Sequence, residues 1–337
     1  MLTPFVRRLW RDPRTLQLGV AADRAVVLAG VDTRARVVLA LLDGTRDRSA
    51  LLSAAESAGC SAEDAAYVLR LLDAAGLLDD GSEPGLAGTD LPRAERDRLA
   101  PDRAALRLVR REGGDHSLVL RRKAKLVVHG AGRVGAPLAA LLAAAGVGAI
   151  DVADSGIVRP EDCGVGGSGL DDVGRGRGEV ARRLMQAAAP SVRTGPVVLP
   201  DLVILTPSDA HVPTTPPRDV PHLVVDVRDG VGIVGPLVRP ATSACLTCLD
   251  LHRTDHDPDW PVLAAQLSMG SGAVSACDTA VAAAVAAQAA LQALAFIDGT
   301  AVAAQGGTLE LSPPDWRWRR RSWQLHPDCP CGWECAR

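Results

Sequence analysis

The spacing of apolar residues changes period several times along this chain, and those changes mark the elements. Residues 15–18 and 25–28 are short strand-like runs on either side of a turn. From 33 to 42 the apolar positions fall at helical spacing and stop at Asp43-Gly44, a helix-ending pair. A second helix is predicted over 48–59, and Ser61-Ala-Glu-Asp64 caps a third. Residues 79–90 are rich in glycine and acid and read as a linker. One or two exposed helices follow over 91–108, broken at Pro101, and then a turn at Gly113-Gly114-Asp115.

Beyond that turn the pattern becomes strand and helix in alternation. An apolar run at 126–128 gives way to Gly130, Gly132 and Gly135, which open an Ala/Leu helix, and a second run at 149–153 ends at Asp154. Strand, Gly-x-Gly-x-x-Gly, helix, strand and acid form the nucleotide-binding unit of a parallel sheet. Glycines let the backbone turn sharply and approach a phosphate, and the helix N-terminus offers it free N–H groups. Asp154 lies 19 residues after Gly135, at a strand end where a ribose hydroxyl would sit. Asp151 competes for that role but falls inside the strand. The plainer alternative is a tight strand–helix turn beside an empty crevice.

A Gly-rich loop at 158–169 must cross the strand ends, and a helix is predicted over 177–189. A buried strand at 201–205 runs into Thr206-Pro-Ser-Asp209, which puts Asp209 at the same crevice. Two acids there suit one ribose contact and one Mg²⁺ on phosphates; a turn or N-cap aspartate is the competing reading of Asp209. Strands at 222–227 and 231–238 pair through Asp229-Gly230. Residues 279–297 are long and apolar enough to span a bilayer. They are mostly Ala, however, with Gln288 and Gln292 on one face and Asp278 and Asp298 at the ends, so a helix buried against a sheet and no membrane contact are expected. Leu309, Leu311, Trp316, Trp318 and Trp323 belong to a terminal hairpin around Pro313-Pro314-Asp315. Arg317, Arg319 and Arg321 alternate there with tryptophans, as a basic outer face or a docking edge for an acidic partner.

The expected fold is therefore α/β: a Rossmann-like, mostly parallel sheet flanked by helices, preceded by a winged helix-turn-helix domain. The predicted boundaries are 1–80 for the winged helix, 81–116 for a linker with helices, and 117–337 for the nucleotide-binding domain. Only 3% of residues are aromatic, so Ala, Leu and Val must fill the core. A net charge of −3 argues against bulk nucleic-acid binding, which needs many phosphate-neutralising Lys and Arg. Residues 1–12 have no apolar signal-peptide core, and the eight cysteines then point to a reducing, cytoplasmic setting and to metal before disulfides.

Cys245-Leu-Thr-Cys248 is one knuckle and Cys329-Pro-Cys331 another, matching a closed structural zinc site. Cys335 or His326 could replace a ligand, because the second knuckle is one residue shorter than usual. A redox pair is the rival reading, but Pro240 to Ala244 reads as a turn, not as the strand that should precede it. Cys163, in the crossing loop, is the thiol to test as a nucleophile.

Two resemblances extend this reading. Leu41-Leu-Asp-Gly-Thr45 followed by Ala74-Ala-Gly-Leu-Leu-Asp79 resembles the PqqD-like elements that hold leader peptides of ribosomally made natural products. The glycine motif, Asp154, Ser208-Asp209, Val234-Gly-Pro, the Cys knuckles and the long Ala helix together resemble the ThiF/MoeB/HesA superfamily, over about 125–332. That resemblance implies a homodimer that activates the C-terminal carboxylate of a peptide or small carrier protein with MgATP. Gly130, Gly132 and Gly135 would cradle phosphate, Asp154 would hold ribose and Asp209 Mg²⁺. Arg177 and Arg133 would offset phosphate charge, and Cys245, Cys248, Cys329 and Cys331 would bind Zn²⁺. The chain departs from the pattern where Val165 stands at the position of the family arginine and Arg177 at that of a lysine, and a charge stabilising phosphoryl transfer can be worth about 10³ in rate. A second class of function follows: a non-catalytic leader-peptide holder for a YcaO-type azoline cyclodehydratase. A nicotinamide dehydrogenase would explain the glycine motif but not the zinc knuckles.

Overall fold

The computed structural model describes residues 2, 6–78, 89–109, 114–207, 219–268 and 276–331. The chain divides into two compact units, Met1–Val119 and Leu120–Arg337.

The first unit begins with three antiparallel strands, β1 (Arg8–Asp12), β2 (Thr15–Leu18) and β3 (Val26–Ala29), in the order β1-β2-β3. Three helices follow, α1 (Thr33–Leu41), α2 (Arg48–Ser57) and α3 (Ala62–Ala74). Each starts where a side chain caps it: Asp32 accepts from Ala35 N, Asp47 from Ala50 N and Ser61 from Asp64 N. Such a cap is worth about 1 kcal/mol. Leu16, Leu18, Val38, Leu51, Leu69 and Leu72 pack between sheet and helices. The periodicity had not shown β1, because all five of its residues are exposed and none alternates inward. The unit continues through α4 (Arg93–Arg98), α5 (Ala100–Val109) and the first part of α6 (Gly114–Lys123), whose residues from Leu120 belong to the second unit. Pro101 sits in the first turn of α5, where its missing N–H costs nothing. The turn expected around Gly114-Asp115 is instead the start of α6, and buried Asp115 there accepts from Arg107 at 2.8 Å.

The second unit holds an eight-stranded sheet. Its parallel part comprises β4 (Lys125–His129), β5 (Ala149–Ala153), β6 (Arg193–Thr194), β7 (Leu202–Leu205) and the start of β8 (His222–Arg228). Helices α7 (Gly135–Ala144) and α8 (Arg177–Ala188) make the crossovers. The sheet turns antiparallel at β9 (Val231–Val238) and ends in β10 (Gly307–Ser312) and β11 (Arg317–Ser322). The full order is β11-β10-β9-β8-β7-β4-β5-β6. The chain runs outward from β4 to β6 on one side and then returns to β7 on the other, so the topological switch point lies between β4 and β7. All four residues of β7 are buried, as a strand covered on both faces requires. Asp229 and Gly230 both take positive φ, 51° and 77°, in the tight turn between β8 and β9.

Three further helices complete the unit: α9 (Leu246–His256), α10 (Trp260–Ser268) and α11 (Thr279–Ile297). Among the described residues α11 is the one helix long and apolar enough to cross a membrane. Val281, Val285, Ala286, Ala289 and Ala293 place it in the central core, and buried Gln292 Oε1 accepts from Ala304 N at 3.0 Å. Its C-cap Asp298 takes a two-pronged ion pair from Arg121, at 2.7 and 3.0 Å.

Two histidines on this sheet carry buried ring nitrogens that have no partner among the described residues, His129 Nδ1 and His222 Nε2. Burial lowers the pKa of both, opposed in part by Asp151 near His129 and by the Val220 carbonyl at His222. The unfolded chain therefore binds protons more readily, and stability is lost as pH falls below the unfolded value of about 6.5. Urea midpoints should fall from pH 7 to pH 5.5, and less steeply in a His129→Asn/His222→Asn variant; equal slopes would contradict this assignment.

Candidate nucleotide site and metal centre

The glycine loop leaves β4 and closes directly onto the end of β7. Gly130 has φ +98°, and a Cβ there would lie 2.1 Å from the Thr206 carbonyl oxygen. A Cβ on Gly135 would lie 2.0 Å from the Gly130 carbonyl oxygen and 2.5 Å from Thr206 Oγ1. No side chain fits at either position. Thr206 completes the joint: its N–H donates to the His129 carbonyl at 2.8 Å, and its hydroxyl lies 2.8 Å from the Gly130 carbonyl. The N-terminus of α7 has no side-chain cap, but Ala136 N donates to the Gly132 carbonyl at 3.2 Å and Pro137 has no N–H, so the donors left for a ligand are those at the start of the loop–helix junction rather than the whole first turn.

This joint opens into a mouth at the strand ends. Its walls are Gly132 and Arg133 of the glycine loop, Asp162 of the crossing loop, Thr206 after β7, Asp226 of β8 and Cys277 before α11. The position fits the rule that ligands of open α/β sheets bind outside strand carboxyl ends at the switch point.

Arg133 reaches this mouth. Its guanidinium donates to the Glu161 carbonyl at 3.2 Å and to Thr279 Oγ1, and its Nε is buried without a partner among the described residues. Arg177 stands behind it. That side chain is 2% exposed and binds Asp162 through Nε at 2.8 Å and Nη2 at 3.1 Å. Asp154 completes the buried group, 3.9 Å from Arg177 Nη1, and its side chain is 0% exposed. Neither Asp154 nor Arg177 lines the mouth. Asp209 and Cys335 lie outside the described residues. Val165 is 76% exposed on the crossing loop.

Three mouth residues were not anticipated. Asp226 was readable as the one acid inside the apolar run His222-Leu-Val-Val-Asp226-Val. Asp162 and Thr206 had no such signal, because their roles depend on tertiary partners. Neither thiol near the crevice suits nucleophilic work. Burial, with Asp162 adding to it, pushes the Cys163 thiol up, and burial does the same to Cys277.

The metal centre assembles from both knuckles. Cys245 Sγ lies 3.8 Å from Cys248 Sγ and 3.6 Å from Cys329 Sγ, and Cys248 Sγ lies 3.4 Å from Cys331 Sγ. All four sulfurs fall within 4.8 Å of one another. Tetrahedral zinc with Zn–S of about 2.3 Å needs sulfur–sulfur edges of about 3.8 Å, so this cluster fits it. Cys245 opens α9, and the second knuckle returns from the far end of the chain. His326 frames that knuckle from outside the sulfur set. Its Nδ1 accepts from Asp328 N at 3.1 Å, its Nε2 donates to Asp255 at 2.9 Å, and its carbonyl accepts from Cys329 N at 3.0 Å.

Residues 104–208 match the ThiF family. Escherichia coli MccB, solved with succinimide, shares the fold at 15% identity, with 98% of each chain covered and a TM-score of 0.69. MccB solved with ATP is 16% identical, covering 98% of this chain and 99% of its own, with a TM-score of 0.66. PaaA is 17% identical, covering 95% and 98%, with a TM-score of 0.68. No curated protein matches the chain.

A zinc ion held by these four cysteines would tie residues 329–331 to α9, so about one zinc per chain is expected by metal analysis. Cys245→Ser should lose it and lower the unfolding midpoint; a folded wild-type protein free of metal would refute the assignment.

Proposed function

We propose that this chain, with its ThiF-family domain, uses MgATP to adenylate the C-terminal carboxylate of a peptide in natural-product biosynthesis. The observation that carries the reading is the mouth at the β4/β7 switch point, where the uncapped start of α7 and Arg133 face one space. The similar MccB has been solved with ATP, and also with MccA, as a microcin C7 biosynthetic enzyme. In adenylation, a carboxylate oxygen bonds to the α-phosphorus while the bond to the β-phosphate oxygen breaks and pyrophosphate leaves. Both sides of that exchange carry negative charge, so fixed donors aimed at the phosphates are the main requirement.

The glycine-loop N–H groups supply those donors, with Gly130 and Gly135 holding the loop and Gly132 facing the mouth. Arg133 brings the cation that the residue at Val165 cannot. On this reading Asp209 holds Mg²⁺ and Asp154 the ribose. Arg177 acts through Asp162, fixing the crossing loop over the site. The zinc centre holds the knuckles and takes no part in the exchange.

The first unit supplies the peptide site. Strand β3 has one edge unpaired. Beside it a groove is lined by Val27, Leu28, Tyr67 and Leu71, with Val27 43%, Tyr67 56% and Leu71 42% exposed. An extended peptide adding to that edge would gain backbone hydrogen bonds and bury this apolar surface. The protein acts in the cytoplasm, as a homodimer. A second reading keeps the peptide site but assigns the ATP-consuming step to a YcaO-type partner. Exposed Val165 and the commitment of Arg177 to Asp162 favour it.

With a cognate precursor peptide, pyrophosphate exchange into ATP should be measurable and should fall at least about tenfold in Arg133→Ala. Absence of ATP binding at millimolar nucleotide would end the enzyme reading. Labelled precursor should bind the full-length protein and bind Leu71→Asp at least about tenfold more weakly; equal affinities would move the peptide site elsewhere.

A further inference from the structure

We propose that Arg228, Arg253 and Arg321 form a binding face for acidic side chains of the precursor peptide, close to its C-terminus. The inference rests on the adenylation reading above and names the class of peptide that reading would take.

Strand register puts the face together. Asp226 borders the mouth. It pairs across the sheet with Ile233, Ile233 pairs with Glu310, and Glu310 with Arg319. Directly paired residues share one face of a sheet, and so do residues two apart along a strand, which adds Arg228 and Arg321 to that face. Val225, Val227, Val234 and Leu309 belong instead to the core shared with α11. Helix α9 brings Arg253 to the open side. Its guanidinium carbon lies 4.7 Å from the centre of the Trp260 ring and 5.7 Å from that of Trp323, and Arg321 lies 5.8 Å from Trp323. Trp323 is fixed there by Nε1, which donates to Thr308 Oγ1 at 3.2 Å, and Thr308 is the register partner of Arg321.

These arginines keep donors to spare. Arg253 Nη1 donates to Asp250 at a long 3.3 Å, and Asp250 also accepts from Trp260 Nε1 at 3.0 Å. Arg321 Nε meets Glu310 at 3.4 Å, and Arg228 Nε meets Asp226 at 2.5 Å. A guanidinium is a planar fork of several N–H groups, so each of these contacts leaves an edge on which a carboxylate can be bound by two donors. The side chains of Arg228, Arg253 and Arg321 are 44%, 32% and 62% exposed, within reach of a ligand. Burial lowers the Arg253 pKa; Asp250 opposes it, while Arg228 and Arg321 act in the same direction as burial, so a further carboxylate is favoured here. Arg317 and Arg319 have less to give, because Asp315 takes both, at 3.9 and 2.6 Å. Helix α10, which begins at Trp260, adds exposed Val262, Leu263 and Leu267, so a bound segment has apolar surface to cover as well.

Distance sets where the acids belong. Arg228 lies about 7 Å beyond Asp226 along β8, and β11 lies about 14 Å away across β9 and β10. An extended chain advances about 3.3 Å per residue. A peptide with its carboxylate in the mouth therefore meets these arginines about two to five residues before its end. A neutral peptide forgoes the pairs, and a basic one meets like charge.

Fluorescence polarisation of the full-length protein, without nucleotide, tests this with labelled synthetic decapeptides that carry Glu-Glu, Gln-Gln or Lys-Lys at the third and fourth residues from the C-terminus. The Glu peptide should bind at least about tenfold more tightly than the Gln peptide, the Lys peptide should bind most weakly, and added salt should narrow the gap. In Arg253→Lys and in Arg321→Gln the Glu preference should shrink to about threefold or less. Arg321 is exposed, so its variant reads the face even if the Arg253 variant fails to fold. Equal binding of the three peptides, no binding of any at millimolar peptide, or a full Glu preference in Arg321→Gln would overturn the proposal. Pyrophosphate exchange with the same peptides separates the two claims. Equal exchange with the Glu and Gln peptides would uphold the enzyme and overturn the acidic preference. Selective Glu binding without exchange would uphold the face and count against the enzyme.

Discussion

The near-contact of two backbones, at Gly130 and Thr206, sets the geometry of the whole site. A methyl group at Gly130 would overlap the Thr206 carbonyl, and one at Gly135 would overlap the Gly130 carbonyl. The loop therefore lies flat on the end of β7, and α7 starts at the switch point. The other walls take their positions from this joint. The crossing loop folds back over it, β8 lies beside it and α11 begins across from it. Parallel pairing buries both faces of these strands, which leaves the carboxyl ends as the place where backbone polar groups meet solvent.

Charge is arranged in two tiers around that joint. Asp154, Asp162 and Arg177 are enclosed and satisfy one another and the adjoining amides, so they rigidify the crossing loop. Removing one member of such a group leaves an uncompensated charge and is commonly worth about 3–5 kcal/mol. Arg133 belongs to the outer tier, held by a carbonyl and a hydroxyl that an incoming phosphate can outcompete. The cysteine knuckles pack residues 329–331 against α9, and a zinc ion there would fasten them in a chain whose core is mostly small aliphatic residues.

Much of the architecture was legible because local rules and tertiary packing agree. The Ser61 cap of α3, the glycine motif, the Asp229-Gly230 turn and the alanine stripe of α11 each follow from periodicity and turn chemistry. The two cysteine knuckles were visible from spacing, which left Cys335 and His326 open as substitutes; the structure brings Cys245, Cys248, Cys329 and Cys331 together. The failures have physical causes. β1 carries no inward-facing apolar residues, and the start of α6 was hidden by Gly114 and Asp115, whose helical placement depends on Arg103 and Arg107. Spacing placed Asp154 at the crevice and the family resemblance placed Arg177 there, but neither could show that each would be spent on a partner 2 to 23 residues away. Asp226 stood out in the sequence as the one acid of an apolar run, but its place at the mouth comes from strand pairing.

The account depends most on the mouth between β4 and β7 being an adenine-nucleotide site. A crystal structure of the full-length protein grown with a non-hydrolysable MgATP analogue tests this directly. Phosphate density over Gly132 and the first turn of α7, with Arg133 released from Thr279, is the predicted result. Analogue bound elsewhere, or a mouth still closed by Arg133 at saturating analogue, would contradict it.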